Sequence, residues 1–234
     1  EEGGDSWTEI EFIASNGPFA LKEWAHEESI TVVKNPFWPG TDSIPQAKLD
    51  EVVFKFLEST AQFDEYQAGS MDAVALPLEQ IDFVKADPTL SAEYVVGTNP
   101  CTYYLGFDNT EEPLTNVNLR RALSLSIDRE SIVTNVTRGG QIAAQWFARP
   151  GLTAAPTLET NPDLGILYDP EAAQAELELA LADLGTTADG LQLTLSYNDS
   201  SNHGAIMQAI QQMWTDNQGI TVTLTAMEPS TYFA

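Results

Sequence analysis

Leu191-Gln192-Leu193-Thr194-Leu195-Ser196-Tyr197 alternates apolar and polar residues with period two. Ile206, Ile210, Met213 and Trp214 then fall at helical spacing, and Ile220, Val222 and Leu224 return to period two. A strand puts every second residue on one face and a helix every third or fourth, so the stretch predicts strand, helix, strand. Strands joined through a helix pair in parallel with a right-handed crossover, which predicts a mixed α/β sheet.

Upstream, the same punctuation recurs. Asp169-Pro170 opens a helix whose apolar face is Ala173, Leu177, Ala180, Leu181 and Leu184, and Gly185 stops it. Leu119, Ala122, Leu123, Ser126 and Ile127 share a helix face. Asp128 is suited to cap the next helix, which carries Ile132, Val133 and Val136 before Gly139-Gly140. Arg149 to Pro162 is a proline-rich loop.

The first half is more broken. Ile30–Lys34 and the alternation from Glu51 to Leu57 predict strands, as do Asp72–Leu76, Glu93–Val96 and Thr102–Phe107. A helix through Phe63 and Tyr66 ends at Gly69, and Pro77 opens another through Ile81 and Val84. Between the first two of these strands, Asn35 to Pro45 reads as a loop with Phe37 and Trp38 as buried anchors.

The charge excludes some partners. With 35 acidic residues against 10 basic and a net of −25, the surface suits neither nucleic acid nor anionic membrane, which recruit Lys and Arg. The 43% apolar content is ample for a core. No apolar run approaches the roughly 18 to 20 residues that span a bilayer, and no signal pattern opens the chain. The protein is then either cytosolic or lacks a removed export segment.

Chemistry-bearing patterns are sparse. His26 and His203 are the only histidines and sit in no metal-ligand spacing, and Cys101 has no paired thiol for zinc. Cys101 and His203 could form a nucleophile and base, but no local signature supports that. Phosphate loops and GxSxG elbows are missing. What stands out is the polar cluster Tyr197-Asn198-Asp199-Ser200-Ser201-Asn202-His203 at the carboxyl end of the predicted strand, where open α/β sheets collect ligands. Ser200, Ser201 or Asn202 serves equally as a helix cap, and Asn198 and His203 stand evenly between capping and binding.

Three segments stand in order along the first half: Gly17-Pro18-Phe19-Ala20-Leu21-Lys22-Glu23-Trp24, Lys34-Asn35-Pro36-Phe37-Trp38 and Tyr66-Gln67-Ala68-Gly69-Ser70-Met71-Asp72. A more specific run goes from Tyr103-Tyr104-Leu105-Gly106-Phe107-Asp108-Asn109 through Pro113-Leu114 and Leu119-Arg120-Arg121-Ala122-Leu123-Ser124 to Ile127-Asp128-Arg129. In register, these segments resemble the family-5 extracellular solute-binding proteins, the oligopeptide, dipeptide and nickel binding group. The resemblance implies an α/β, mixed-sheet periplasmic-binding-protein-like fold of type II, in the large three-domain subgroup, of which this chain is a fragment. Residues 1–98 correspond to part of the first, N-terminal lobe, and 99–234 to the first part of the C-terminal ligand-binding lobe.

That resemblance also implies a function: an extracytoplasmic substrate-binding component of an ABC importer. It would deliver peptides, in preference to nickel complexes or oligosaccharides, to a membrane permease, with no cofactor, no metal and no catalysis. The full-length protein would be monomeric and lipid-anchored. Tyr104, Gly106, Thr137, Asn198 and His203 would line one wall of the cleft. Gly106 and Thr137 stand where relatives carry charged ligand contacts, and Asn118 where arginine is frequent, so this wall would favour main-chain hydrogen bonds over ion pairs. Cys101, preceding Thr102-Tyr103-Tyr104, would be structural: buried, or half of a disulfide with a downstream cysteine. The aspartate anchoring a peptide amino terminus would lie beyond Ala234, and a chain ending there would expose apolar faces. The competing reading is a hydrolase using His203 with an acidic partner.

Overall fold

The computed structural model describes residues 9–10, 13–97, 99, 101–200 and 202–234. The chain divides into two compact units between Leu76 and Pro77. The resemblance puts the lobe boundary after residue 98, whereas residues 77–97 cluster with the C-terminal unit. The physical link is Arg138, whose guanidinium donates to Leu78 O at 2.9 Å and pairs with Asp82, while Lys85 Nζ donates to Arg138 O at 3.3 Å.

In the first unit β1 (Phe19–Ala25), β2 (Ser29–Lys34) and β3 (Glu51–Lys55) form an antiparallel sheet in that order. Leu21 faces Val32, which faces Val52 in turn. The helix α1 (Ser59–Gln67) buries Phe63, and the chain leaves it through Gly69 at φ 77°. The loop after β2 divides one expectation: Trp38 is half-buried with its indole nitrogen enclosed, whereas Phe37 is 90% exposed and anchors nothing. In place of Phe37 the turn is held by Asn35, 6% exposed, whose Nδ2 donates to Gly17 O at 2.9 Å and whose Oδ1 accepts from Phe37 N at 3.0 Å. An amide that satisfies two backbone groups at once holds a turn better than a ring with no hollow to enter.

The second unit opens with Pro77, a 3-10 turn at Leu78–Gln80 and α2 (Ile81–Ala86), then α3 (Leu90–Glu93). Of the predicted strands, Asp72–Leu76, Glu93–Val96 and Thr102–Phe107 are not in a ladder among the described residues. A strand needs a partner for its backbone groups, and periodicity reports only which side chains share a face. The period itself survives at 104–107, where Leu105 and Phe107 pack on the core while Tyr104 and Gly106 are exposed; Tyr103, also exposed, breaks it.

The remaining elements follow the sequence closely. Asn116 caps α4 (Val117–Leu125), its Oδ1 accepting from Asn118 N at 2.9 Å and Leu119 N at 3.1 Å. Asp128 caps α5 (Arg129–Ser131), which runs into a π-helical turn at Ile132–Thr137. That turn is ended by Arg138 at φ 50°, not by the glycines after it. Arg129 donates to Ser124 O and Ile127 O, both at 3.2 Å, and burial pulls its guanidinium below its ordinary value. The Ile127-Asp128-Arg129 motif is thereby a cap and a clasp on two helix ends.

Asp169 caps α6 (Pro170–Leu184), and Gly185 at φ 64° closes it. β4 (Gln192–Asn198), α7 (His203–Gln218) and β5 (Thr221–Met227) form the predicted strand-helix-strand, with β4 and β5 parallel; α8 (Pro229–Tyr232) comes next. Leu119, Leu123, Leu177, Leu193, Trp214 and Ile220 belong to one buried cluster drawn from α4, α6, α7 and the sheet. Each such aliphatic side chain contributes roughly 1.5–3 kcal/mol. This core holds the carboxyl end of β4 in place.

Candidate functional site

The last paired residues of the parallel strands are Asn198 and Met227, and Asp199 N donates to Met227 O at 2.8 Å. Beyond this point the chain turns into α7. Asn198 is buried and accepts the Ser200 hydroxyl. Asn202 occupies the N-cap position without a side-chain cap bond, and Ser201 lies outside the described residues. Neither Ser200 nor Asn202 therefore acts as the cap that sequence reasoning allowed. The first turn lies against the β4 side: a Cβ at Gly204 would be in ordinary van der Waals contact with the Tyr197 ring, at 3.6 Å.

A third segment joins them from far away in sequence. Tyr103 Oη lies 2.8 Å from His203 Nδ1, with the two rings stacked at 23° and centroids 5.4 Å apart. Burial, and secondarily the neighbouring Tyr232, push the Tyr103 phenol above its ordinary value. Tyr104, on the opposite parity of the extended segment, meets the edge of Phe147 at 5.3 Å, and Thr102 Oγ1 donates to Phe147 O at 2.9 Å. The result is a wall of aromatic edges and hydrogen-bonding groups at the carboxyl end of the β4–β5 pair.

The predicted residues sit unequally on this wall. His203 and the Tyr104 segment are brought together, and Asn198 is at its base with its amide oxygen already engaged. Gly106 is exposed, and a Cβ there would meet open space. Thr137 is buried, its hydroxyl within reach of Gln141 Oε1 at 2.9 Å and Val133 O at 3.5 Å, so it is engaged in its own turn, which packs on α7. Asn118 lies in the first turn of α4. Cys101 corrects the burial alternative: it is exposed, with Sγ 3.2 Å from Asn99 Oδ1. Its backbone has no strand or helix to carry it inward.

Sequence reasoning passed over Tyr103 and Phe147. Periodicity gave no signal for Tyr103: it shares parity with Leu105 and Phe107, which pack on the core, yet is itself 51% exposed and meets His203 at the surface. Nothing in sequence brings Phe147, in an irregular loop, to Tyr104. Among the described residues no group of three His, Cys, Asp or Glu could hold a metal, and no helix is long and apolar enough to cross a membrane.

A preformed wall at the carboxyl end of parallel strands, dominated by rings and neutral hydrogen-bonding groups, is the kind of surface that solute-binding proteins offer a ligand. The chain belongs to the bacterial extracellular solute-binding proteins, family 5, whose middle model matches residues 1–234. It is 34% identical over 227 residues to the oligopeptide-binding protein OppA of Bacillus subtilis, covering 93% of this chain and 40% of that one. It is 29% identical over 237 residues to the periplasmic oligopeptide-binding protein OppA of Salmonella typhimurium, covering 99% of this chain and 42% of that one. Among solved structures, Haemophilus influenzae OppA in complex with RPPGFSPFR matches with a TM-score of 0.73 at 27% identity, over 99% of this chain and 45% of that one. The chain thus spans about two-fifths of the length of these relatives.

Proposed function

We propose that the protein containing this chain is the extracytoplasmic substrate-binding component of an ABC importer, taking up peptides and handing them to a membrane permease. Residues 1–98 would contribute to its first lobe and 99–234 to its ligand-binding lobe. The observation that carries the reading is the Tyr103 hydroxyl on His203 Nδ1 just past the carboxyl end of β4, where Asn198 is the last paired residue, in a chain related to oligopeptide-binding proteins. The ligand is bound and released unchanged. Tyr103 occupies His203 Nδ1, the place an orienting carboxylate takes in a hydrolytic triad, which disfavours the hydrolase reading.

With no lysine beyond Lys85 in the sequence and with Arg120, Arg121, Arg129, Arg138 and Arg149 each bonded to a carbonyl or carboxylate, this half offers few free cations to a ligand. Main-chain hydrogen bonding and ring contacts would then carry recognition, with broad tolerance of peptide sequence. Calorimetry of the full-length protein with a mixed library of short peptides tests this, followed by mass analysis of the recovered ligand. Saturable binding with intact peptide is expected. No heat with any peptide, or cleaved product, refutes the reading.

A further inference from the structure

The Tyr103 to His203 contact determines a protonation pattern as well as a position. A neutral imidazole carries a hydrogen on one nitrogen and a lone pair on the other, and the bond made by one decides what the other can do. Here Nδ1 faces the Tyr103 hydroxyl at 2.8 Å. Between a phenol and an imidazole, the phenol O–H is the better donor and the bare imidazole nitrogen the better acceptor, as their ordinary acidities show. Partial burial keeps the phenol protonated across the neutral range. Nδ1 is then the bare nitrogen and the hydrogen resides on Nε2.

Nε2 has no hydrogen-bond partner among the described residues, and it is not one of the buried polar atoms left unpaired, so solvent or a ligand reaches it. Ring stacking at 23° removes the freedom of the imidazole to flip and exchange its two nitrogens without losing the contact. His203 is also the first residue of α7, whose buried face holds Ile206, Met207 and Ile210, so the backbone that carries the ring is fixed.

We propose that Tyr103 is a positioning residue: its hydroxyl holds His203 as the Nε2–H tautomer and so presents a hydrogen-bond donor to an acceptor on the ligand, a main-chain carbonyl oxygen of a bound peptide. The role of the N–H toward a peptide rests on the function proposed for the whole protein; the tautomer does not. An amine or other pure donor placed at this point would face an N–H and be rejected. Selection at His203 is therefore for acceptors, and Tyr103, which need not touch the ligand, sets it.

The test is nitrogen-15 NMR of the full-length protein labelled at histidine, with His203→Gln to assign the signals and Tyr103→Phe as the probe. In the unliganded wild type, His203 Nδ1 should resonate as a bare nitrogen and Nε2 as a protonated one. Tyr103→Phe should move His203 to a mixture of tautomers with unchanged circular dichroism, and weaken peptide binding by roughly two- to tenfold, the worth of one hydrogen bond. A wild-type spectrum with hydrogen on Nδ1, or His203 signals that ignore Tyr103→Phe, overturns the proposal. The wild-type spectrum decides the tautomer even if the variant fails to fold. A fixed Nε2–H tautomer in a protein that binds no peptide overturns the role given to that N–H and the peptide reading together.

Discussion

The indole Nε1 of Trp214 donates to the carbonyl oxygen of Leu123 at 2.9 Å, a buried bond across 91 positions that ties α7 to the last turn of α4. The same carbonyl accepts the Ser126 hydroxyl at 3.1 Å, so it keeps one partner if the indole is lost. Trp214→Phe should therefore cost about 1–2 kcal/mol, near the low end for a broken buried hydrogen bond. Trp214→Ala, which also opens a cavity, should cost roughly 3–5 kcal/mol. Urea unfolding of the two variants checks both figures.

The loop after β2 makes a sharper contrast. Asn35→Ala removes a buried amide that serves two backbone groups and should destabilise by about 1–3 kcal/mol. Phe37→Ser, two residues on, changes a side chain that is 90% exposed and should fall within about 0.5 kcal/mol of wild type. Equal effects in thermal unfolding would contradict the assignment of Asn35 as the anchor.

Helix α6 ends on a backbone that favours glycine. Gly185 has φ 64°, and a Cβ there would meet nothing, so Gly185→Ala is penalised by conformation alone, by roughly 1–2 kcal/mol. Gly185→Asn should cost less, because asparagine tolerates the left-handed region. Comparison of the two variants by chemical denaturation separates backbone strain from crowding.

Tyr103 predicts an alkaline limb. Its phenol is held above the ordinary value mainly by burial, so the folded state keeps a proton that the unfolded state loses first. The associated stability is fully present below about pH 10 and is lost as pH rises toward the folded value. Tyr103→Phe should flatten that limb. An alkaline denaturation profile identical in wild type and variant would contradict the half-buried setting of the phenol.

The strand-helix-strand from Leu191 to Leu224 was legible because its side chains alternate against a core, and the caps Asp128 and Asp169 because each is followed by a helix that needs one. The segment 102–107 was legible as a pattern but not as a ladder. Leu105 and Phe107 show which face turns inward, whereas pairing depends on a neighbour that periodicity does not report. The site was read in the same uneven way. His203 and Asn198 follow from the end of a strand, but the partner of His203 is a hundred residues away, and only the packing of 102–107 against α7 brings Tyr103 to it. Phe37 failed for the converse reason, since an aromatic residue in a loop says nothing of whether a hollow exists to receive it.

On the function proposed above, the wall around Tyr104 and His203 touches a bound peptide. Photocrosslinking of the full-length protein with a short peptide carrying a benzophenone side chain, with the adducts mapped by mass spectrometry, decides whether it does. Adducts on residues 103–106 and 198–204 that disappear under excess unlabelled peptide are the predicted result. Competable adducts confined to other parts of the protein, at undiminished affinity in His203→Ala, would contradict it.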